Sequence, residues 1–394
     1  MNEKKVIVFS SHTTLESGGV GTHLKHLISE LKTSKFDSRI ILGAKKSDLI
    51  GVKIFDKFIS IFISKDISKI IYSNFYIFAL IKKLVSEIKK IEKLNDSSEL
   101  VIHSHDKYTA IAAYLIKNSY PFTIKIIQTL HAPFADQFKL DFPECKELFN
   151  YARLLDSGST LNLDFIIGVD QLQNQIAKEN IFFDESKLNN ISNAVDTTEL
   201  DKIKLQNRLI DKDYFVVARH LGKKNGVIFA VKAFEIFLKS NSNYKLYIIG
   251  SGFEKKNILE YININNLSQS IILVGRKSHS ETLNLICNAK ASIIPSIPIG
   301  RYIEATSLTM LESMYFEVPV VASNIGGLAE VIKHEFNCLL FEPKDVIKLA
   351  EMLETILKNK DLLFDIKKNS KQTILESYTS KKWFNKISTH YNSV

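Results

Sequence analysis

Residues 295–314 read PSIPIGRYIEATSLTMLESM, and residues 318–332 continue as VPVVASNIGGLAEVI. Pro295 and Ser296 close the apolar run ASIIPS, which has the length of a buried strand. Ala305–Ser307 open a helical pattern, with Glu304 just before it and Glu312 two turns inside. PVVAS is a second strand of the same kind, and Gly326–Gly327 turn the chain into another helix that carries Glu330. Apolar strands without polar alternation, each followed by a helix, predict a parallel sheet covered on both faces.

The same alternation extends in both directions. YFVVAR (214–219), a helix through AVKAFEIFLK (230–239), KLYIIGSG (245–252) and SIILVGR (270–276) precede the opening stretch, and CLLFEP (338–343) follows it. Nearer the N-terminus, VIVFSS (6–11), HLKHLISELK (23–32), SRIILGA (38–44), ELVIHSH (99–105), AIAAYLIK (110–117), TIKIIQTLH (123–131), DFIIGVD (164–170) and LQNQIAK (172–178) repeat the pattern. The fold class is therefore α/β, one Rossmann-like architecture used twice. The expected divisions are residues 1–192, a charged, strand-free linker at 193–212, a second domain at 213–375 and a C-terminal helix at 376–394 that crosses back to the first. Ligands of open parallel sheets bind outside the carboxyl ends of the strands, so two such domains are expected to face each other across a cleft lined by strand-end loops.

Composition narrows the function classes. The 394 residues, 45% hydrophobic and 24% charged with 15 Gly and 7 Pro, suit two folded domains. Cys145, Cys287 and Cys338 form no CxxC pair, which argues against a disulfide framework or a zinc site and fits a reducing compartment. MNEKK runs straight into a strand, so no export signal is expected and the protein reads as cytoplasmic. The longest apolar run, Ile70 to Ile81, is short of the ~20 residues of a membrane helix.

The net charge is +9, and residues 53–94 hold nine Lys against two Asp and two Glu. Within 77–94, Ile77, Ile81, Leu84, Ile88 and Ile91 recur at helical spacing opposite Lys82, Lys83, Lys89, Lys90 and Lys93. The plainer reading is a packed helix with a solvated lysine face. The functional one is peripheral docking on an anionic membrane, at the inner face, that presents a lipid-linked acceptor. Nucleic acid is disfavoured, because aromatic interleaving and Arg enrichment are lacking.

Three strand-to-helix junctions carry the chemistry. In SGGVGTHL (17–24), Gly18, Gly19 and Gly21 permit a tight turn and close ligand approach, although Leu24 breaks the dinucleotide fingerprint. In VVARHLGKKNG (216–226), Arg219 leaves a strand and Lys224 follows in a Gly-bearing loop, two cations suited to a diphosphate or to plain solvation. Asp211 and Asp213 mimic a metal-binding DxD but precede their strand, so no metal is expected there. In the third junction the helix start offers N–H groups to a phosphate, and Glu304 and Glu312 are read as bracketing a long ligand.

Arg219, Lys224, Glu304 and Glu312, with EATSLTMLE between PS and PVVAS-GG-E, resemble the family 4 retaining glycosyltransferases of the GT-B fold. The resemblance spans nearly the whole chain and is strongest from Phe215 to Asp345. It implies that Arg219 and Lys224 neutralise a donor diphosphate, that Glu312 holds the ribose, and that Glu304 contacts the transferred sugar among the backbone N–H groups of Ala305, Thr306, Ser307, Leu308 and Thr309. Gly19 joins the donor-binding set, and His131 in KIIQTLHAP matches the family's cleft histidine near the reacting centre. The implied reaction retains configuration and needs no metal or cofactor beyond a nucleotide-sugar co-substrate, a UDP-sugar for preference. The acceptor is a glycan or lipid-linked chain of cell-surface polysaccharide or glycoconjugate synthesis.

The chain departs from the family in having Ala305 and Ser307 where Gly-x-Gly is usual, Asn193-Ala194-Val195-Asp196 for NGVD, and Asp170 for a Ser. These changes bear on sugar identity. Three other readings compete: a same-fold epimerase or phosphorylase, which lacks its own acid/base set here; a non-catalytic acceptor-binding partner of an active transferase; and a nicotinamide dehydrogenase, which IILGAKK disfavours for want of an acidic residue.

Overall fold

The computed structural model describes residues 5–11, 15, 18–43, 65–92, 99–141, 146–179, 184–206 and 213–393; Cys145, Lys93 and Asp211 fall outside these. The chain divides into two compact units, Met1–Ile191 with Phe384–Val394 and Ser192–Trp383.

The first unit runs β1 (Lys5–Ser10), α1 (Gly18–Lys32), β2 (Asp37–Leu42), α2 (Lys65–Glu92), β3 (Glu99–Ser104), α3 (Lys107–Ile116), β4 (Thr123–Leu130), α4 (Phe134–Asp141), α5 (Lys146–Ser159), β5 (Phe165–Gly168), α6 (Gln171–Lys178) and β6 (Leu188–Asn190). Its sheet is parallel, in the order β2-β1-β3-β4-β5-β6. Val6 to Phe9 are fully buried, as a strand covered on both faces requires. β6 is absent from the pattern reading because LNN, a three-residue edge strand with two Asn, has no apolar run to announce it.

The second unit runs α7 (Thr197–Gln206), β7 (Tyr214–Ala218), α8 (Val227–Leu238), β8 (Lys245–Ile249), α9 (Lys255–Ile264), β9 (Ile271–Gly275), α10 (His279–Cys287), β10 (Ser292–Ile294), α11 (Leu308–Tyr315), β11 (Val320–Ser323), α12 (Gly326–Val331), β12 (Leu339–Phe341), α13 (Val346–Lys358) and α14 (Lys360–Ser377). α15 (Ser380–Asn392) follows, and its residues from Phe384 onward belong to the first unit. The second sheet is parallel in the order β12-β11-β10-β7-β8-β9. Strand order reverses between β7 and β10 here and between β1 and β3 in the first unit, the junctions at which such sheets hold ligands.

Two expectations change. The stretch read as a linker carries α7, whose Leu200 and Ile203 lie in the core of the second unit; its charged residues mask a helix anchored by few apolar side chains. Ala305–Ser307 do not open the helix either. α11 starts at Leu308 with Ser307 as N-cap, so Glu312 sits about one turn inside rather than two.

α2 packs an apolar face and exposes lysines, an arrangement that both of its readings share. Ile77, Leu80, Leu84, Ile88 and Ile91 are buried in the first unit's core, while Lys82, Lys89 and Lys90 are exposed. Lys83 Nζ donates to the carbonyl oxygens of Leu42, at 3.4 Å, and Gly43, which close the end of β2. Among the described residues no helix is long and apolar enough to cross a membrane.

Leu84→Ala removes a fully buried side chain and is expected to cost about 2–5 kcal/mol in urea unfolding. Lys89→Gln on the exposed face is expected to stay within about 0.5 kcal/mol.

Candidate active site in the second unit

β7 ends at Ala218, so Arg219 emerges at the carboxyl edge of the sheet, its own N–H donating to Ile249 O at 2.9 Å. The chain then makes a short 3-10 turn, Lys223–Asn225, that ends on Gly226. Gly226 has φ +60°, and a Cβ there would lie 1.9 Å from Pro295 O, so only glycine lets this turn press against the end of β10. Ile297 N–H donates to Lys224 O at 2.7 Å and fastens the two loops together. Arg219 and Lys224, read separately from the sequence, are thereby brought beside the loop that carries Glu304.

Glu304 is the hub. Its Oε2 accepts from Arg219 Nη2 at 2.6 Å and from Lys224 Nζ at 3.1 Å. Arg219 also donates to Ser307 Oγ at 3.0 Å, Asn225 Oδ1 at 2.8 Å and Ser296 Oγ at 3.2 Å. Asn225 is itself fixed by donating to His220 O at 2.7 Å. Lys224 Nζ lies 4.5 Å from the centre of the Tyr302 ring, a cation–π contact. Glu304 is 7% exposed. Burial pushes its carboxyl up, but the Arg219 and Lys224 charges and hydrogen bonds outweigh burial and hold it at about 2.

Ser307 has two tasks. Its Oγ caps α11 by accepting from Met310 N–H at 3.4 Å while accepting from Arg219. The serine that departs from the family's glycine therefore restrains the guanidinium. Behind this loop Gly327 N–H donates to Glu304 O at 3.0 Å, and a Cβ on Gly327 would fall 2.4 Å from Thr306 N. Asn193 Nδ2 donates to Thr306 O at 2.9 Å, and Thr309 Oγ1 to Ala218 O at 3.3 Å, so the segment from Ala305 to Thr309 is held from three sides.

Glu312 is 4% exposed and pairs with His279 Nε2 at 2.8 Å. His279 Nδ1 lies 3.5 Å from Glu199 Oε1. Burial works to lower His279, but hydrogen bonds and charges from Glu199 and Glu312 outweigh it and lift the imidazolium to about 10. His279 and Glu199 come from α10 and α7, with no signal near Glu312 in sequence to announce them. Ser296 and Asn225 lie inside the quoted motifs, but only their hydrogen bonds single them out.

The other expected residues belong to the first unit. Gly19 is exposed at the start of α1, and a Cβ there would meet nothing, whereas one on Gly21 would fall 2.9 Å from Leu15 O. His131 follows β4 and packs with His23 and His105. Asp170 caps α6 by accepting from Gln173 N–H at 2.7 Å, which accounts for an acceptor at that position. Asp213 precedes β7 at the opposite edge of the sheet from Arg219.

A clamp of Arg, Lys and Glu at the strand-order reversal, before a capped helix, is also the region of likeness to known proteins. A family profile described as glycosyl transferases group 1 matches residues 199–373. Over these residues the chain is similar to the glycosyl transferases group 1 family. An uncharacterised glycosyltransferase of Methanocaldococcus jannaschii is 26% identical over 169 residues, 43% of this chain and 42% of that protein. The chain spans about half the length, or less, of this and similar curated relatives. The N-acetyl-alpha-D-glucosaminyl L-malate synthase of Bacillus anthracis is 22% identical over 81% of this chain and 80% of its own. The solved structure of Anabaena HepE in complex with UDP and glucose superposes with TM-score 0.69, at 14% identity, over 100% of both chains. At that identity the likeness concerns the fold, and the fold is GT-B.

Glu304→Gln leaves Arg219 and Lys224 without their anion, and breaking such a buried group is expected to cost about 3–5 kcal/mol. Because the folded carboxyl lies below its usual 4.5, its stabilisation is complete above that pH and is lost as pH falls toward about 2. Urea unfolding of parent and variant across pH 2–7 should show the gap closing at the acid end. For His279→Asn the sign reverses: the raised imidazolium stabilises fully below pH 6.5, and the difference from the parent fades as pH rises through about 10.

Proposed function

We propose that the chain is a family 4 type, retaining, metal-independent glycosyltransferase that moves a sugar from a nucleotide diphosphate sugar, a UDP-sugar for preference, to a glycan or lipid-linked acceptor in cell-surface polysaccharide or glycoconjugate synthesis. One observation carries the reading: Arg219 and Lys224 converge at 2.6 and 3.1 Å on one buried carboxylate at the mouth of the β7/β10 junction. Two fixed cations at this edge supply the charge that a bound metal supplies elsewhere. Arg219 Nε is buried without a hydrogen-bond partner among the described residues, a further donor for phosphate oxygens.

In this reaction the bond between the anomeric carbon and the donor phosphate oxygen breaks, and a bond to the acceptor oxygen forms on the same face. The acceptor's proton passes to the departing diphosphate oxygen. Arg219 and Lys224 stabilise the charge that grows on the diphosphate, with their positions set by Glu304, Ser307 and Asn225. Glu312 takes the ribose hydroxyls, oriented by protonated His279. Glu304 and the backbone from Ala305 to Thr309 face the transferred sugar, and the resemblance assigns His131 to that sugar too. UDP and glucose bound in HepE favour a UDP donor. The capsular polysaccharide role named for a Staphylococcus aureus relative, 22% identical over 50% of this chain, favours a surface-glycan acceptor. Cytoplasmic residence, at the inner membrane face when α2 engages it, belongs to the same proposal.

The test is a panel of UDP-, GDP- and ADP-sugars screened by thermal shift, followed by donor turnover. A UDP-sugar should raise Tm, and Arg219→Ala should lower kcat by about 10²–10³-fold, the cost of removing one preorganised donor. After chelation, adding Mg²⁺ should not increase turnover. Absence of turnover in both proteins with every donor would favour the non-catalytic acceptor-binding partner instead.

A further inference from the structure

Three histidines of the first unit meet outside the clamp, and one of them, His131, is the side chain that the proposed reaction sets against the transferred sugar. His131 directly follows β4, His105 directly follows β3, and His23 lies on α1 after β1; β1, β3 and β4 are consecutive in the sheet. His131 is held by both neighbours. The His23 ring stands across it at 89° with centres 4.5 Å apart, and the His105 ring lies nearly parallel to it at 24° with centres 5.6 Å apart. His105 Nδ1 and His131 Nε2 are 3.4 Å apart, a long hydrogen bond.

We propose that His105 is a positioning residue for His131: the bond between the two imidazoles holds the His131 ring at one angle and in one tautomer for its contact with the sugar. What His131 meets rests on the transferase reading; what His105 does to it rests on the geometry of the two rings. Two protonated rings would both be donors, so the bond requires at least one neutral ring. In a neutral imidazole one nitrogen donates and the other accepts. Once Nε2 of His131 is committed to His105, the state of its Nδ1 is therefore fixed as well. Such control matters at a reacting centre, where a group misplaced by about 1 Å costs on the order of 10²-fold in rate.

His105 is itself firmly anchored. The His103 ring packs against it with centres 4.3 Å apart, and both His103 nitrogens are engaged, Nε2 with Thr129 Oγ1 at 2.8 Å and Nδ1 with Tyr391 OH at 2.7 Å. Thr129 lies on β4, and Tyr391 on the part of α15 that belongs to the first unit. Burial, with His23 and His390 nearby, holds His103 at about 3, so this ring stays neutral and keeps both hydroxyl partners at neutral pH. His103 and His105 are buried, while His131 is half-buried. A strand, its neighbour and the last helix thus fix one ring, which backs the next, which orients the third.

The test uses the full chain labelled with ¹⁵N-histidine, in which two-bond ¹⁵N–¹H correlation at pH 8 reports the tautomer of each ring. Wild type should show His131 in a single tautomer. His105→Phe keeps an aromatic ring without its nitrogens, and His131 should become a mixture. His105→Asn, whose amide falls near the place of Nδ1, should restore the single tautomer, whereas His105→Gln, whose amide reaches toward the place of Nε2, should not. In donor turnover, His105→Phe and His105→Gln should lower kcat by about 10- to 100-fold, with donor KM within about threefold, and His105→Asn should recover most of the loss. Circular dichroism checks folding, and the contrast of Asn with Gln decides the matter if the Phe variant does not fold. A mixed tautomer in wild type, a single tautomer in the Phe and Gln variants, or equal turnover in the Asn and Gln variants would overturn the proposal. The tautomer measurement needs no donor: its failure leaves the transferase reading standing, and absence of turnover in wild type overturns that reading while the spectra still decide what His105 does.

Discussion

A carboxylate taken out of water must be compensated, and the second unit is arranged around how Glu304 is compensated. Alone, a buried glutamate takes up a proton and gives up its charge. With Arg219 and Lys224 against one oxygen it stays ionised, and the same pairing keeps two cations in place where loose side chains would drift. Removing water from all three groups costs several kcal/mol per ion, so the cluster is poor evidence of stability for its own sake. Its value lies in preorganisation: charge is already collected and oriented before any anionic ligand arrives.

That arrangement depends on backbone more than on side chains. Glu304 sits on a loop that Gly327 allows to approach within hydrogen-bond distance of the start of α12, and Lys224 sits on a turn that Gly226 allows to touch Pro295. The parallel sheet supplies the rest. Every strand of the order β12-β11-β10-β7-β8-β9 ends at the same edge, so residues far apart in sequence, Arg219 and Ser296, meet because β7 and β10 are neighbours. The reversal of strand order opens room there that a continuous winding would fill with a crossover helix.

Much of this was legible in the sequence, for identifiable reasons. Long apolar runs such as YFVVAR and VIVFSS can only be buried strands, and E-x7-E between PS and PVVAS places two carboxylates at one sheet edge. What could not be read depends on packing. β6 is three polar-leaning residues that pair only because β5 offers an edge. α7 looks like a linker because its charged face outnumbers the buried Leu200 and Ile203. The helix after Glu304 begins at Leu308 because Ser307 caps it, a choice made by one hydroxyl and not by periodicity. His279 is invisible as a partner of Glu312, since 33 residues separate them and nothing local requires an ion pair.

The two units place different chemistry at equivalent positions, and the difference follows from the side chains. The second unit presents a guanidinium and an ammonium, which have no lone pair to offer and act on anions by charge and donated hydrogen bonds. The first presents imidazoles, whose nitrogens accept as well as donate hydrogen bonds. Neither set belongs to a strand: His105 and His131 follow β3 and β4, and Arg219 follows β7. The fold therefore fixes where a ligand is met in each unit, and the few residues just beyond β3, β4, β7 and β10 decide what kind of ligand it is.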